Sequence, residues 1–279
     1  MTDANRWSIA ELQARYELEP ELTDVFVEGS FDREVLAQVV TKQDSRHAFY
    51  EIDTVDMPAN ILIKHGLSSG NKQRVIALSR EFDALPQEAK VTCLIDRDLD
   101  HWFGSLSNTR RLRWSSYCSL ECHFLTSETI SDIVITTGRA KIKKVDIYIS
   151  SLIGTLRQLF ALRLADRDMG LSLKWVALRK YLSRTGDTIV FDIKKYSLAL
   201  LSSNSKASRL NGFQKLFDEW YGRLAGDIRL AARGHDFTEL LAWSIAEFGG
   251  QKEIANEVAI ERIFVLLARA VSTLSDEFL

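Results

Sequence analysis

Proline is nearly absent from this chain: Pro20, Pro58 and Pro86 are the whole complement in 279 residues, where roughly 5% is usual. Collagen-like and proline-rich linker architectures are thereby excluded, and everything beyond residue 86 is free to form long helices. Cysteine is equally scarce. Cys93, Cys118 and Cys122 make an odd count with no C-x-x-C pair, which argues against a secreted disulfide framework and for a reducing cytoplasm. Cys118, Cys122 and His123 lack a fourth ligand at zinc-site spacing. Glycine, at 14 residues, falls below the usual share of about 7%. The first residues have no signal-peptide apolar core, and no apolar run approaches the ~20 residues that span a bilayer. A cytoplasmic protein without a membrane segment is expected. What is present is ordinary for a packed protein: 46% hydrophobic and 27% charged residues, enough to form a core without disulfide or metal staples.

The net charge of −2 conceals a partition. Residues 1–138 carry 14 Lys/Arg against 22 Asp/Glu, residues 139–215 carry 16 against 5, and residues 216–279 carry 6 against 11. An acidic first half beside a basic middle suits a carboxylate metal site with a polyanionic substrate, and equally suits a solvated Lys/Arg-rich helical surface. Two regions are expected: 1–138, and a mainly helical 139–279 that is basic over 139–215.

Ser8 to Glu11 has the form of a capping box and opens a short helix. Asp24–Gly29 is a short apolar run, read as a buried strand and turn, after which Ser30 can cap a helix carrying Phe31, Val35, Leu36 and Val39. A strand over Ala48–Asp53, a glycine-containing loop from Gly66 to Gly70 and a helix from Lys72 to Leu85 follow. Lys90–Asp96 is a second buried-type strand, and Arg113–Tyr117 a further one. This alternation predicts an α/β fold with a largely parallel sheet flanked by helices. From Val145 the pattern turns helical, with stripes at Leu152, Leu156, Leu159 and Phe160 and at Leu210, Phe213, Phe217 and Trp220. Asp187–Lys195 alternates like a hairpin arm, Asp236–Glu239 has the form of a capped helix start, and a last helix covers Ile254–Leu274.

In parallel sheets, ligands bind beyond the carboxyl ends of the strands. Glu28 ends one strand there, and Asp96, Asp98 and Asp100 end another. Mg²⁺ or Mn²⁺ takes oxygen ligands, commonly one or two carboxylates plus substrate phosphates. Asp96 and Asp98, two apart, point to one side if strand geometry continues. Glu28 can take a proton from attacking water or join the ligand set. Gly66-Leu-Ser-Ser-Gly70-Asn-Lys72 fails the P-loop spacing, so ATP hydrolysis by this chain is excluded. Lys72 stays a candidate near the site. Asp32 reads as a helix-dipole acid or a site residue, Glu121 as a site carboxylate or the buried partner of an arginine, and His235 as local structure or a phosphoryl-transfer aid. Trp102, Trp114, Trp220 and Tyr221 could anchor an interface.

Val27-Glu28-Gly29-Ser30-Phe31-Asp32, followed by Leu94-Ile95-Asp96-Arg97-Asp98, resembles the Toprim domain over about residues 23–125. The resemblance implies that Glu28 is general acid/base or metal ligand and that Asp96 and Asp98 hold a divalent metal. Ser119–Leu125 and Arg233-Gly-His-Asp236 resemble a narrower group, the standalone Toprim effectors encoded beside AAA-type ATPases in bacterial anti-phage systems. That group implies a toxic nuclease restrained by an ATPase partner, active after release as a homodimer, with tRNA as substrate. OLD-type Toprim nucleases imply DNA instead. Their additional basic residues have no residue-by-residue match here; Lys141, Lys143 and Lys144 are candidates by position. No transesterifying tyrosine of the topoisomerase kind is identifiable. A Toprim module that docks on an ATPase without catalysis, or a housekeeping Toprim enzyme, are the competing expectations.

Overall fold

Four short segments, β1 (Val25–Val27), β2 (Phe49–Glu51), β3 (Thr92–Ile95) and β4 (Leu112–Trp114), assemble into one parallel sheet in the order β2-β1-β3-β4. A computed structural model describes residues 6–40, 47–106 and 109–278. β1 and β3 take the centre, as their near-continuous buried runs require of strands covered on both faces. Phe26 pairs with Cys93, and carrying that register two residues on sets Glu28 level with the end of β3.

The capping box at Ser8 opens α1 (Ile9–Leu18), with Ser8 Oγ accepting from the Glu11 N–H and Glu11 Oε2 accepting from the Ser8 N–H. α2 (Ser30–Val39) departs slightly from its sequence reading. Its cap position is Gly29, not Ser30, and the Asp32 carboxylate accepts the Gly29 N–H at 3.2 Å. A helix unread in the sequence, α3 (Ala59–Lys64), follows Pro58. The next, α4 (Asn71–Glu81), ends in a 3₁₀ turn, Phe82–Ala84. The strand expected at Arg113–Tyr117 lies earlier, because the Ser115 hydroxyl accepts the Arg97 N–H and donates to the Tyr117 carbonyl, turning the chain out of the sheet. Tyr16, Phe26, Tyr50 and Phe82 form the aromatic centre, with ring centroids 5.5–5.7 Å apart.

The chain divides into two units, Met1–Leu120 with Phe264–Leu279, and Glu121–Ile263. The boundary at 138 marks where charge changes sign; the units divide where packing does. In the first unit the C-terminal segment is part of the structure. Phe278 meets Phe49 edge-on at 5.2 Å, and the Glu277 carboxylate accepts the Ser116 N–H at 2.9 and 3.1 Å.

The second unit contains α5 (Ser127–Ser131), which widens into a π turn, and α6 (Val145–Asp168). The antiparallel hairpin β5 (Leu182–Thr185) and β6 (Thr188–Phe191) follows, then α7 (Ile193–Ser203), α8 (Leu210–Arg223) and α9 (Gly234–Glu247). α10 (Glu257–Leu267) runs across the division. By length and composition α6 could cross a membrane; half of its most apolar window is buried within the protein, against α8, β6 and α9. The helix start expected at Asp236 is corrected. α9 begins at Gly234, and Asp236 lies within its first turn because Arg163 of α6 holds its carboxylate at 2.5 and 2.7 Å. Gly138 and Gly250 bring two turns together. A Cβ on Gly250 would collide with the Gly138 carbonyl and lie 2.8 Å from that of Ile245.

Candidate active site at the carboxyl ends of β1 and β3

Glu28 leaves the end of β1 and folds back across the neighbouring strand end, where its Oε1 accepts the Asp96 N–H at 3.0 Å. The register between β1 and β3 makes this bond available: Asp96 is the first residue past β3, and its amide has left the ladder. Asn71, at the start of α4, donates from Nδ2 to the Glu28 carbonyl at 2.9 Å. Burial pushes the Glu28 carboxyl up to about 7 against the Asp96 N–H; the charges of Asp98 and Asp100 add to the rise and that of Lys72 opposes it. An acid that titrates near neutrality can both take and return a proton at working pH.

Lys72, in the first turn of α4, is the centre of the remaining charge. Its ammonium lies 2.8 Å from Asp98 Oδ2 and 2.7 Å from Asp100 Oδ2, and 5.1 Å from the Trp114 ring centroid. Burial works against the Lys72 ammonium, but the two carboxylates outweigh it and raise its pKa. The D-x-D pair is arranged differently from the strand alternation expected for it. β3 ends at Ile95, and Asp98 adopts a left-handed conformation with φ 47°, which aspartate tolerates better than most side chains. Cys118 fixes that turn: its carbonyl accepts the Asp98 N–H at 2.8 Å and its thiol donates to the Asp98 carbonyl at 3.2 Å. Asp98 and Asp100 therefore meet at one cation through a turn.

Glu28, Asp96, Asp98, Asp100 and Lys72 thus belong to one strand-end constellation. Asp32 stands beside it as the cap of α2, holding the backbone that follows Glu28. Among the described residues, no three His, Cys, Asp or Glu side chains converge closely enough to form a metal cage. The other candidates belong to the second unit. Glu121, buried, has His235 as an ion-pair partner, Nδ1 to Oε1 3.6 Å, and this contact chiefly raises the imidazole pKa. Lys141, Lys143 and Lys144 are exposed, and the backbone amides of Lys143 and Lys144 bind Asp187 at 3.2 and 2.8 Å. Sequence reasoning gave no role here to Asn71, and Cys118 was weighed only for zinc. Both act on backbone groups, those of Glu28 and Asp98, and nothing in residue type or spacing marks such a role.

Compared with known proteins, the chain matches no family model and no curated protein.

Proposed function

We propose that this chain is a metal-dependent phosphodiesterase of the Toprim type that cleaves RNA, with tRNA as the preferred class. The observation that carries the reading is Glu28: a strand-end carboxyl titrating near 7, bonded to the amide of Asp96, beside a second pair of acids. The donors suit a hard cation. Asp98 and Asp100 supply carboxylate oxygens that already surround one positive charge, Lys72 Nζ, and Asp96 is the further donor offered by its position at the strand end. Mg²⁺ needs only one or two carboxylates besides waters and phosphate, a demand these residues meet without a closed cage. Bound there, Mg²⁺ or Mn²⁺ would polarise a phosphoryl oxygen. Glu28 Oε accepts the proton of the attacking water, and the Asp96 amide holds the carboxylate in place for it. Lys72 offsets part of the rise that Asp98 and Asp100 impose on Glu28, so that Glu28 retains a pKa suited to proton transfer.

The biological setting follows from the resemblance to the PARIS effector AriB. We place the chain in the cytoplasm as a toxic anti-phage effector held inactive by an AAA-type ATPase and released as a homodimer. The competing reading, a Toprim module that docks without catalysis, is favoured by one observation: Lys72 already pairs with both Asp98 and Asp100. Incubating the wild-type chain and Glu28→Gln with total tRNA and with plasmid DNA in Mg²⁺ or Mn²⁺ separates the readings. Wild type is expected to cut tRNA, with the variant slower by roughly 10²–10⁴-fold. Cleavage of plasmid alone would favour an OLD-like DNA nuclease. If neither substrate is cut, or the variant cuts like wild type, the mechanism is wrong.

A further inference from the structure

The amino end of the same sheet carries charge of the opposite sign. A cleft of about 490 Å³ opens there, over Val25 of β1 and Thr92 of β3, and among the described residues no acidic side chain lines it. Lys90, Arg110, Arg111 and Arg113 border it, with His47 on one side. Lys90 has an exposed partner, Glu21, at 2.6 Å. The three arginines have no ion pair within 4 Å among the described residues. Arg110 and Arg113 are exposed, and Arg110 donates to the Pro86 carbonyl at 3.2 Å.

Arg111 is the informative member. It is 5% exposed, yet among the described residues its guanidinium meets only carbonyls, those of Ala89 and Pro86, and its Nε has no hydrogen-bond partner. Burial lowers its pKa, the like charge of Arg110 lowers it further, and Asp83 only partly offsets them. A buried cation beside other cations, without a paired anion, is costly in a structure that has no use for it. An anion in the cleft would relieve that cost. The volume is that of a small-ligand pocket; the guanidinium fork matches phosphate as it does carboxylate oxygens, and four cations around one cleft favour the more highly charged of the two.

We propose that this cleft is a phosphate-binding site, separate from the carboxylate constellation, that takes successive phosphates of one ligand. The two sites lie at opposite ends of β3, four residues or about 13 Å apart, so one phosphate cannot reach both. The ligand is a polyphosphate anion, either the backbone of a nucleic-acid strand or the tail of a nucleotide. The assignment does not depend on whether Glu28 catalyses.

Binding is measured on the full chain in EDTA, with a fluorescein-labelled single-stranded RNA dodecamer by anisotropy and with inorganic triphosphate by calorimetry. Arg110 and Arg113 are exposed, so Arg110→Gln/Arg113→Gln is expected to fold normally. The double variant should bind whichever probe the site takes roughly tenfold more weakly or worse. For RNA, the slope of log K against log salt should flatten by about 1.4, the loss of two single-strand phosphate contacts. Tight RNA with weak triphosphate identifies a backbone site, and the reverse a nucleotide site. The proposal is overturned if wild type binds neither probe, or if the double variant matches wild type in affinity for both probes and in salt slope.

Discussion

Replacing Glu28 with glutamine should make the protein more stable at alkaline pH and no more stable in acid. Glu28 titrates at about 7 in the folded chain against 4.5 for an ordinary glutamate. Its folded pKa is raised, so the native state holds the proton more tightly than the unfolded chain does. The resulting stability is fully present below pH 4.5 and is lost as pH rises through 7. At 1.36 kcal/mol per unit, the wild type gives up about 3 kcal/mol of it by about pH 8.5. Glu28→Gln cannot ionise, and its amide oxygen can still accept the Asp96 N–H. Urea unfolding of the two proteins across this range should give curves that coincide near pH 4.5 and separate by up to about 3 kcal/mol at high pH. A ¹³C titration of the Glu28 carboxyl should have its midpoint near 7. A stability difference that stays flat with pH, or a midpoint in the ordinary glutamate range, would refute the argument that burial at this strand end sets the pKa.

Lys72→Met leaves Asp98 and Asp100 facing each other without their cation, at a cost of about 1–2 kcal/mol for partly exposed groups. Its Glu28 midpoint should rise further, and Mn²⁺ should raise its melting temperature more than that of wild type. Asp236→Ala strands Arg163 in the second unit and should cost about 3–5 kcal/mol, read by thermal denaturation; Arg163→Met/Asp236→Leu should cost less than the single change. Gly250→Ala should lose about 2 kcal/mol or more, because its new methyl meets backbone oxygens that cannot move aside. Equal melting temperatures for Gly250→Ala and wild type would contradict the close approach at Gly138.

The parallel sheet was legible because β1 and β3 are central and their burial is written as unbroken apolar runs. Edge strand β4 was displaced by a few residues: Ser115, a residue of no strong propensity, turns the chain with its side chain. The strand-end acids were legible by type and position, whereas their arrangement was not. Asp98 reaches Asp100's side of the site through a left-handed turn held by Cys118, a residue that reads as an ordinary buried thiol. Lys72 was legible only as a neighbour of a glycine-rich loop, since its two partners lie 26 and 28 residues away. Asp236 misled for a related reason. Its local pattern is that of a cap, and a guanidinium 73 residues earlier in the chain claims it instead.

Glu277 closes on Ser116 across an intervening unit of some 140 residues. During synthesis, the first unit must therefore wait, with its sheet formed but its C-terminal strap missing, while residues 121–263 are made. At 5–20 residues per second that interval is on the order of ten seconds. The edge beside β4 and the face that receives Phe278 stay uncovered throughout, and a nascent chain is vulnerable there to chaperones, proteases or another copy. The order of events also gives the molecule a delay: the loop that carries Ser115 and Cys118, and through them Arg97 and Asp98, gains its last anchor only after the second unit has left the ribosome.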